Sequence, residues 1–388
     1  MIERAIEKDI TTYLKSDSHR ILFIWGPRRS GKTTLLENAG KEFSAPIFNF
    51  TLLSDREPFI PRREILTKLA ATHPVILIDE VQYFPEGTVS LKALYDEFKI
   101  KIIATGSSEL QQKSKDFDSL ADRYNELFCL PISLNEGIKY LNPPSYRIDE
   151  QARLLTEYFQ IFGSYPEVLT MRNIHPDGEI AEKLEKIVDA YALKDIIEIY
   201  NLKNAKLAKD ILTKIALQTG SEVSLRELAS SLQANVATVS NYIEIFVKNY
   251  ILISLPPFKT NARRAVSENR KLYFWDLGIR NALVKDFRKT DLRPDKGGVF
   301  ENLVISEALK VIKNNHLMLN LYFYREYRGK EVDLVVEDYQ KRYMTFEIKL
   351  SEQMVKPIFP LPHKQNLITP ENLLESLDKI RDFATATS

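Results

Sequence analysis

The sequence predicts an α/β protein in three successive parts: a parallel sheet with helices on both faces, a helical segment, and a second region of mixed strands and helices. Three observations lead there. The apolar runs "RILFIWG", "APIFNF", "HPVILIDE" and "IKIIATGSS" alternate with helical patterns such as "GKTTLLENAGKEF" and "VSLKALYDEF". Helical periodicity then dominates "IAEKLEKIVDAYALKDIIEIY" and "AKLAKDILTKIALQTG". Near the C-terminus, "GKEVDLVVEDYQKRYMTFEIKL" alternates apolar and polar residues on either side of a turn, as a hairpin does.

A chain of 388 residues is long for one domain. The stretches "NPPS" and "PPFK" break the pattern and suggest boundaries at 142/143 and 258/259. With 44% hydrophobic and 28% charged residues, the composition is that of a soluble globular protein with an ample core. A net charge of +1 excludes nucleic-acid binding by overall field, so any such binding needs a local patch. The single cysteine, Cys129, excludes an intramolecular disulfide and reads as a buried structural thiol. "MIERAIEKDI" carries no signal-like apolar region, and no apolar run approaches the roughly 18 residues of a membrane span. A cytoplasmic protein without a membrane partner is expected.

"ILFIWGPRRSGKTTLL" places Gly26, Pro27, Arg28, Arg29, Ser30, Gly31, Lys32, Thr33 and Thr34 between a strand and a helix, as a Walker A loop requires. The glycines let backbone N–H groups wrap phosphates, Lys32 reaches the β and γ oxygens, and Thr33 offers its hydroxyl to Mg²⁺. The plainer reading is a glycine-rich turn capping a helix. "VILIDEVQ" argues against it, because acids ending a doubly buried strand sit beside such a loop. Asp79 is the expected Mg²⁺ partner and Glu80 the residue that polarises the attacking water. ATP and Mg²⁺ are therefore the expected cofactors.

"GPRRSGKTTLL", "VILIDEVQ", "IIATGSS", "LADRYNELFCLPIS", "FGSYPEVL", "KLYFWDLGIRNAL", "GGVFENLVISEALK" and "EVDLVV…FEIK" occur here in one order. In this the chain resembles a large prokaryotic family of AAA+-like P-loop ATPases. Members of that family end in a domain of unknown function, number 4143, that is similar to PD-(D/E)XK nucleases. The resemblance runs from about residue 1 to 350. It implies that a hydroxyl ending "IIATGSS" senses the γ-phosphate, with Ser107 favoured over Thr105 and Ser108. Arg123 either supplies positive charge to the transition state, in its own site or a neighbour's, or forms a surface salt bridge. The first alternative leaves oligomerisation open.

"VSLRELASSLQANVATVSNYIEIFVKNYILISLPPF" reads as a winged helix-turn-helix, with "QAN" as the turn and Val236–Val247 as the second helix. Asn235, Thr238, Ser240, Asn241 and Lys248 would face DNA, a thin basic footprint for a dedicated reader. Between Lys259 and Lys296, eleven Lys or Arg stand against five Asp or Glu, which suggests either a polyanion surface or a solvated face.

In the hairpin, a turn over Asp338–Arg342 sets Asp333 directly opposite Glu347, about 4.5–5.5 Å apart at Cβ. Lys349 shares that face. Two close carboxylates repel, and a metal cation is one way to stabilise them. The alternative is an exposed sheet face on which Lys349 neutralises the acids. Asp followed by Glu-x-Lys is the PD-(D/E)XK arrangement, in which the acids hold Mg²⁺ and the lysine orients water. The resemblance also implies an additional metal-binding role for Glu301, in the first turn of a helix. "LNLYFYREYR" is the expected third strand, and "SEQMVKPIFPLPHKQNLITP" a loop. The expected function is ATP hydrolysis coupled to metal-dependent action on DNA. The alternative is an ATP-driven switch or adaptor that binds nucleic acid or protein without cutting.

Overall fold

The computed structural model describes residues 2–106, 120–200, 202–259, 270–326, 329–354 and 357–385. The chain divides into two compact units, Glu3–Leu130 and Pro131–Ser388 with Met1–Ile2.

In the first unit, α1 (Glu7–Lys15) precedes β1 (Ile21–Trp25), α2 (Lys32–Phe43), β2 (Ile47–Asn49), β3 (Val75–Asp79), β4 (Lys101–Gly106) and β5 (Tyr124–Phe128). The strands form one sheet in the order β2-β3-β4-β1-β5, with every pairing parallel. Helices cover both faces of such a sheet, so β1 is apolar at every position, and all five of its residues are buried. Leu22, Ile24, Leu36, Leu77, Ile103 and Leu127 share one core cluster. Because β4 separates β1 from β3, the end of β4 lies between the loop after β1 and the acids after β3. Gly106 ends β4 for a steric reason, since a Cβ there would stand 2.5 Å from the Trp25 ring.

The second unit opens with α3 (Leu134–Leu141), which Ser133 and Glu136 close with a reciprocal capping box. Next comes α4 (Ile148–Phe162). Further on, α5 (Leu225–Ser231) and α6 (Val236–Lys248) form the helix pair the sequence predicted, and the Asn235 side chain caps α6 at the Ala237 N–H. Around them β6 (Glu222–Val223), β7 (Leu252–Leu255) and β8 (Arg270–Phe274) pair antiparallel in the order β6-β8-β7. Beyond α7 (Leu277–Val284) and α8 (Lys296–Asn314), the strands β9 (Leu319–Arg325), β10 (Glu331–Asp338), β11 (Tyr343–Ile348) and β12 (Lys364–Ile368) form a second sheet, order β12-β11-β10-β9. Helix α9 (Leu373–Thr385) follows.

The hairpin register is the expected one: Leu334 pairs with Phe346 and Val336 with Met344. β9 is the expected third strand. The stretch expected to be a loop is not one throughout, because β12 lies parallel to β11 and buries Ile368 completely. Pro357, Pro360 and Pro362 precede the strand and Pro370 follows it, so none of them interrupts its pairing.

The basic run also differs from expectation. Lys271, Arg280 and Arg293 are buried, with Arg280 and Arg293 both paired to Asp295. Arg288 is exposed but paired with Asp286. Arg263 and Arg264 lie outside the described residues. Buried charge must be paired to be tolerated, so Lys271, Arg280 and Arg293 serve the interior, while Arg270, Lys285, Arg288 and Lys289 remain exposed.

A buried polar cluster fixes α8. Lys310 Nζ donates to Glu307 Oε1 (2.7 Å), Ser164 Oγ (3.0 Å) and the Ile132 carbonyl (3.1 Å), while Glu307 Oε2 accepts from the Leu134 N–H at 2.7 Å. Both side chains are about 1% exposed, so removing either leaves an uncompensated charge. Lys310→Met is expected to lower the unfolding free energy by about 3–5 kcal/mol, measured by urea denaturation of the full chain.

Candidate functional site

The phosphate loop is built by a strand that stops and a helix that starts within six residues. Gly26 permits the turn because a Cβ there would lie 2.0 Å from the Cys129 carbonyl. Arg29 and Gly31 take positive φ (64° and 101°), and α2 begins at Lys32. The Ser30 hydroxyl donates to the Pro27 carbonyl at 2.8 Å and closes the loop on itself. Arg4 braces it, donating at 2.6 Å to the Ser30 carbonyl and at 2.5 Å to that of Leu130.

Lys32 is buried, and its ammonium donates to the Gly26 (2.9 Å) and Pro27 (2.8 Å) carbonyls. Desolvation lowers its pKa, opposed by the negative charge of Glu80. An ammonium in this state gains from the arrival of anionic phosphate oxygens. The Thr33 hydroxyl donates to Asp79 Oδ2 at 2.8 Å, and Thr105 donates to Asp79 Oδ1. Thr33 and Asp79 are hard oxygen donors one hydrogen bond apart, which suits Mg²⁺. Glu80 takes a left-handed backbone (φ 57°), its N–H donates to Thr105 Oγ1 at 3.3 Å, and its carboxylate accepts from Gln82. Arg28 lies over the Tyr83 ring and donates to its hydroxyl. Arg29, Thr33 and Thr34 are exposed on the loop and the first turn of α2.

Ser107 lies outside the described residues. Thr105, the hydroxyl passed over in its favour, is the one bound to both Asp79 and the Glu80 amide. The order of strands in the sheet brings it there, and the residue sequence does not announce that order. Arg123 pairs at 2.8 Å with Asp96 on the surface. Arg4 was not anticipated either, since nothing in "MIERAIEKDI" marks a partner over a hundred residues away.

The second cluster surrounds the hairpin. Between Val332, paired with Tyr324, and Val335, paired with Tyr322, the register slips, so Asp333 and Leu334 together face Phe323. Such a bulge re-aims side chains. Asp333 Oδ2 accepts from the Ile348 N–H (2.8 Å) and from Lys349 Nζ (2.9 Å), and Lys349 lies 3.1 Å from Glu347 Oε2. The exposed sheet face of the alternative reading is not found, because Asp333 and Glu347 are each only 8% exposed. Carboxylate oxygens of Glu301, Glu331 and Asp333 lie within 4.8 Å of one another. Glu301 stands in the second turn of α8, one turn later than expected. Lys271 Nζ donates to Glu301 Oε1 at 2.8 Å and also pairs with Glu331, while the Tyr273 hydroxyl donates to the same Glu301 oxygen at 2.6 Å.

Burial raises the pKa of Glu301, against the pull of Lys271. Burial and the charge of Asp333 raise that of Glu347. Burial alone would lower the Lys349 pKa, but Asp333 and Glu347 outweigh it and the net shift is upward; Glu301 and Glu331 do the same for Lys271. Four carboxylates against two ammoniums leave a formal surplus of two negative charges, and every donor is a hard oxygen. That set fits one Mg²⁺ or Mn²⁺. Glu331 was missed although period-two alternation puts it on the Asp333 face. Lys271 carried no signal, being on β8 of the other sheet.

Compared with known proteins, residues 18–138 match the AAA domain family, residues 296–359 match domain of unknown function 4143, and residues 153–290 match another domain of unknown function, number 8612. An uncharacterized protein of Methanocaldococcus jannaschii is 26% identical over 90% of this chain and 79% of its own length. One from Mycobacterium tuberculosis is 24% identical over 90% and 74%. Among solved structures, the Walker-type ATPase PABY2304 of Pyrococcus abyssi aligns with 73% of this chain and 96% of its own, at 17% identity and a TM-score of 0.49.

Two outcomes follow from the geometry. Thr105→Val removes one of the two hydroxyls that hold Asp79, and is expected to cut the ATPase kcat by about tenfold with little change in KM for ATP, in steady-state assays. Carboxylates whose folded pKa is raised bind protons more tightly folded than unfolded, so they favour folding increasingly as pH falls through that raised value. The metal-free wild type is therefore expected to gain stability relative to Glu347→Gln as pH is lowered from about 8 to about 5, in thermal denaturation.

A match to the AAA domain family over the P-loop is thus followed in this chain by a match to domain of unknown function 4143, the pairing its motifs resemble.

Proposed function

We propose that this P-loop ATPase binds and hydrolyses ATP with Mg²⁺ at residues 26–34, and that its C-terminal part cleaves phosphodiester bonds in DNA with a divalent metal. Three functional parts carry this out: the ATPase core to residue 142, a helical part with a winged helix to 258, and the nuclease-like part beyond.

At the first site, Lys32 turns from the loop carbonyls to the β and γ oxygens, Thr33 and Asp79 hold the ion, and Glu80 orients the attacking water. Thr105 keeps Asp79 and Glu80 in register. Ser107 would sense the γ-phosphate, and Arg123, found in the surface salt bridge that was its alternative role, would have to leave Asp96 to serve as transition-state cation.

At the second, the observation that carries the reading is Lys349 bound to both Asp333 and Glu347 across the β10–β11 hairpin. A divalent ion bound there supplies charge for the scissile phosphate. Asp333, Glu347 and Glu301 would hold it. Lys349, about a third exposed, can leave its carboxylates to orient a water against phosphorus and to offset charge on the phosphate. The exposed Asn235 and Asn241 on α6 offer neutral contacts to a DNA backbone.

A second reading, an ATP-driven switch or adaptor that does not cut, is favoured by the near-complete burial of Asp333 and Glu347. Plasmid and linear DNA incubated with Mg²⁺ or Mn²⁺, with and without ATP, separates the two. Cleavage abolished by Asp333→Ala/Lys349→Ala, with ATPase activity intact, is the expected result. ATP hydrolysis without cleavage under any condition selects the switch.

A further inference from the structure

The acidic cluster contains two lysines that differ in one physical respect. Lys349 is 36% exposed and sits at the end of β11, whereas the Lys271 side chain is 2% exposed. Lys271 is held within β8 by backbone pairing to Glu222 on one side and Leu255 on the other. Its ammonium lies over the Phe323 ring, with Nζ 5.5 Å from the centroid. Lys349 has solvent to move into, and Lys271 has none.

The carboxylates divide accordingly. Asp333 and Glu347 share Lys349, while Glu301 and Glu331 share Lys271. Glu301 Oε1 already accepts from both Lys271 and Tyr273, which leaves Oε2 as the oxygen it can offer elsewhere. Four carboxylates, two lysines and one divalent ion sum to zero; a second ion would leave two positive charges in a buried site. Uncompensated charge of that kind is strongly disfavoured away from water.

We propose that Lys271 is a built-in cation occupying the place of a second metal, so that the cluster binds one divalent ion, through Asp333, Glu347 and Oε2 of Glu301, with Glu331 anchoring Lys271 and not ligating the ion. This rests on the metal-dependent reading of the hairpin and adds to it both the stoichiometry and the identity of the ligands. It makes Lys271 a positioning residue: it holds Glu301 and excludes a second ion, while Lys349 is the lysine that yields.

The test counts Mn²⁺ bound to the full-length, nucleotide-free protein by equilibrium dialysis and electron paramagnetic resonance, taking only ions lost in Asp333→Asn/Glu347→Gln. The wild type is expected to bind one ion and Lys271→Met two. Should Lys271→Met fail to fold, Glu331→Gln decides: it is expected to keep one ion with affinity within about threefold, while Glu347→Gln alone loses at least about tenfold, as loss of a ligand does. Two ions on the wild type, one on a folded Lys271→Met, or a tenfold loss in Glu331→Gln would each overturn the assignment of Lys271. A wild type with no hairpin-dependent ion would remove the metal reading itself, and Lys271 would then be a structural ion pair.

Discussion

A charge taken out of water must meet its opposite within hydrogen-bond reach, and much of this structure follows from that requirement. Lys32, Lys271 and Lys310 are all but inaccessible, and each ammonium is bound by carbonyls, carboxylates or both. Their placement decides where loops close and helices anchor. In the ATPase unit, Lys32 draws the carbonyls of Gly26 and Pro27 together and so preshapes the phosphate loop. Lys310 and Glu307 grip the backbone at Ile132 and Leu134, fixing α8 against the segment that opens the second unit. Replacing such a pair by apolar residues of similar shape can be neutral for stability, so these pairs are better understood as specifying position than as adding stability.

The same requirement explains why both candidate sites look strained in charge without being strained in geometry. At the phosphate loop the pairing is incomplete by design of the chemistry: a desolvated lysine and a carboxylate held by two hydroxyls gain from a phosphate and a cation arriving together. At the hairpin, four acids share two lysines, and the carboxyls of Glu301 and Glu347 are shifted upward by burial and by the charge of Asp333. On the proposed function, each site would be pre-organised for a ligand of defined sign, anionic phosphate with a cation in one and a lone cation in the other.

Helix α8 has a double part in the second unit. Glu301 projects from its second turn into the acidic cluster, and Glu307 and Lys310, farther along, are locked into the buried network with Ser164. Asn302, between them, exchanges two hydrogen bonds with the Phe274 backbone on β8, the strand that carries Lys271 and Tyr273. Helix and strand are therefore pinned together where the carboxylate and its lysine meet. Rigid support of this kind is what a charged site needs, because a displacement of about one ångström undoes the geometry.

Local chemistry was legible in the residues alone. Gly26-x4-Gly31-Lys32-Thr33 between a strand and a helix, the acids at Asp79 and Glu80, and the hairpin register that sets Asp333 against Glu347 follow from spacing and period-two alternation, which are properties of short stretches of chain. What tertiary structure alone decided is every pairing between distant segments. The sheet order put Thr105 on Asp79; chain topology brought Arg4 to Ser30 and Lys271 to Glu301; and a register slip against β9 falls at Asp333. A sequence states how many charges it carries. Only the folded chain determines which are removed from water and, once removed, which partner each must have.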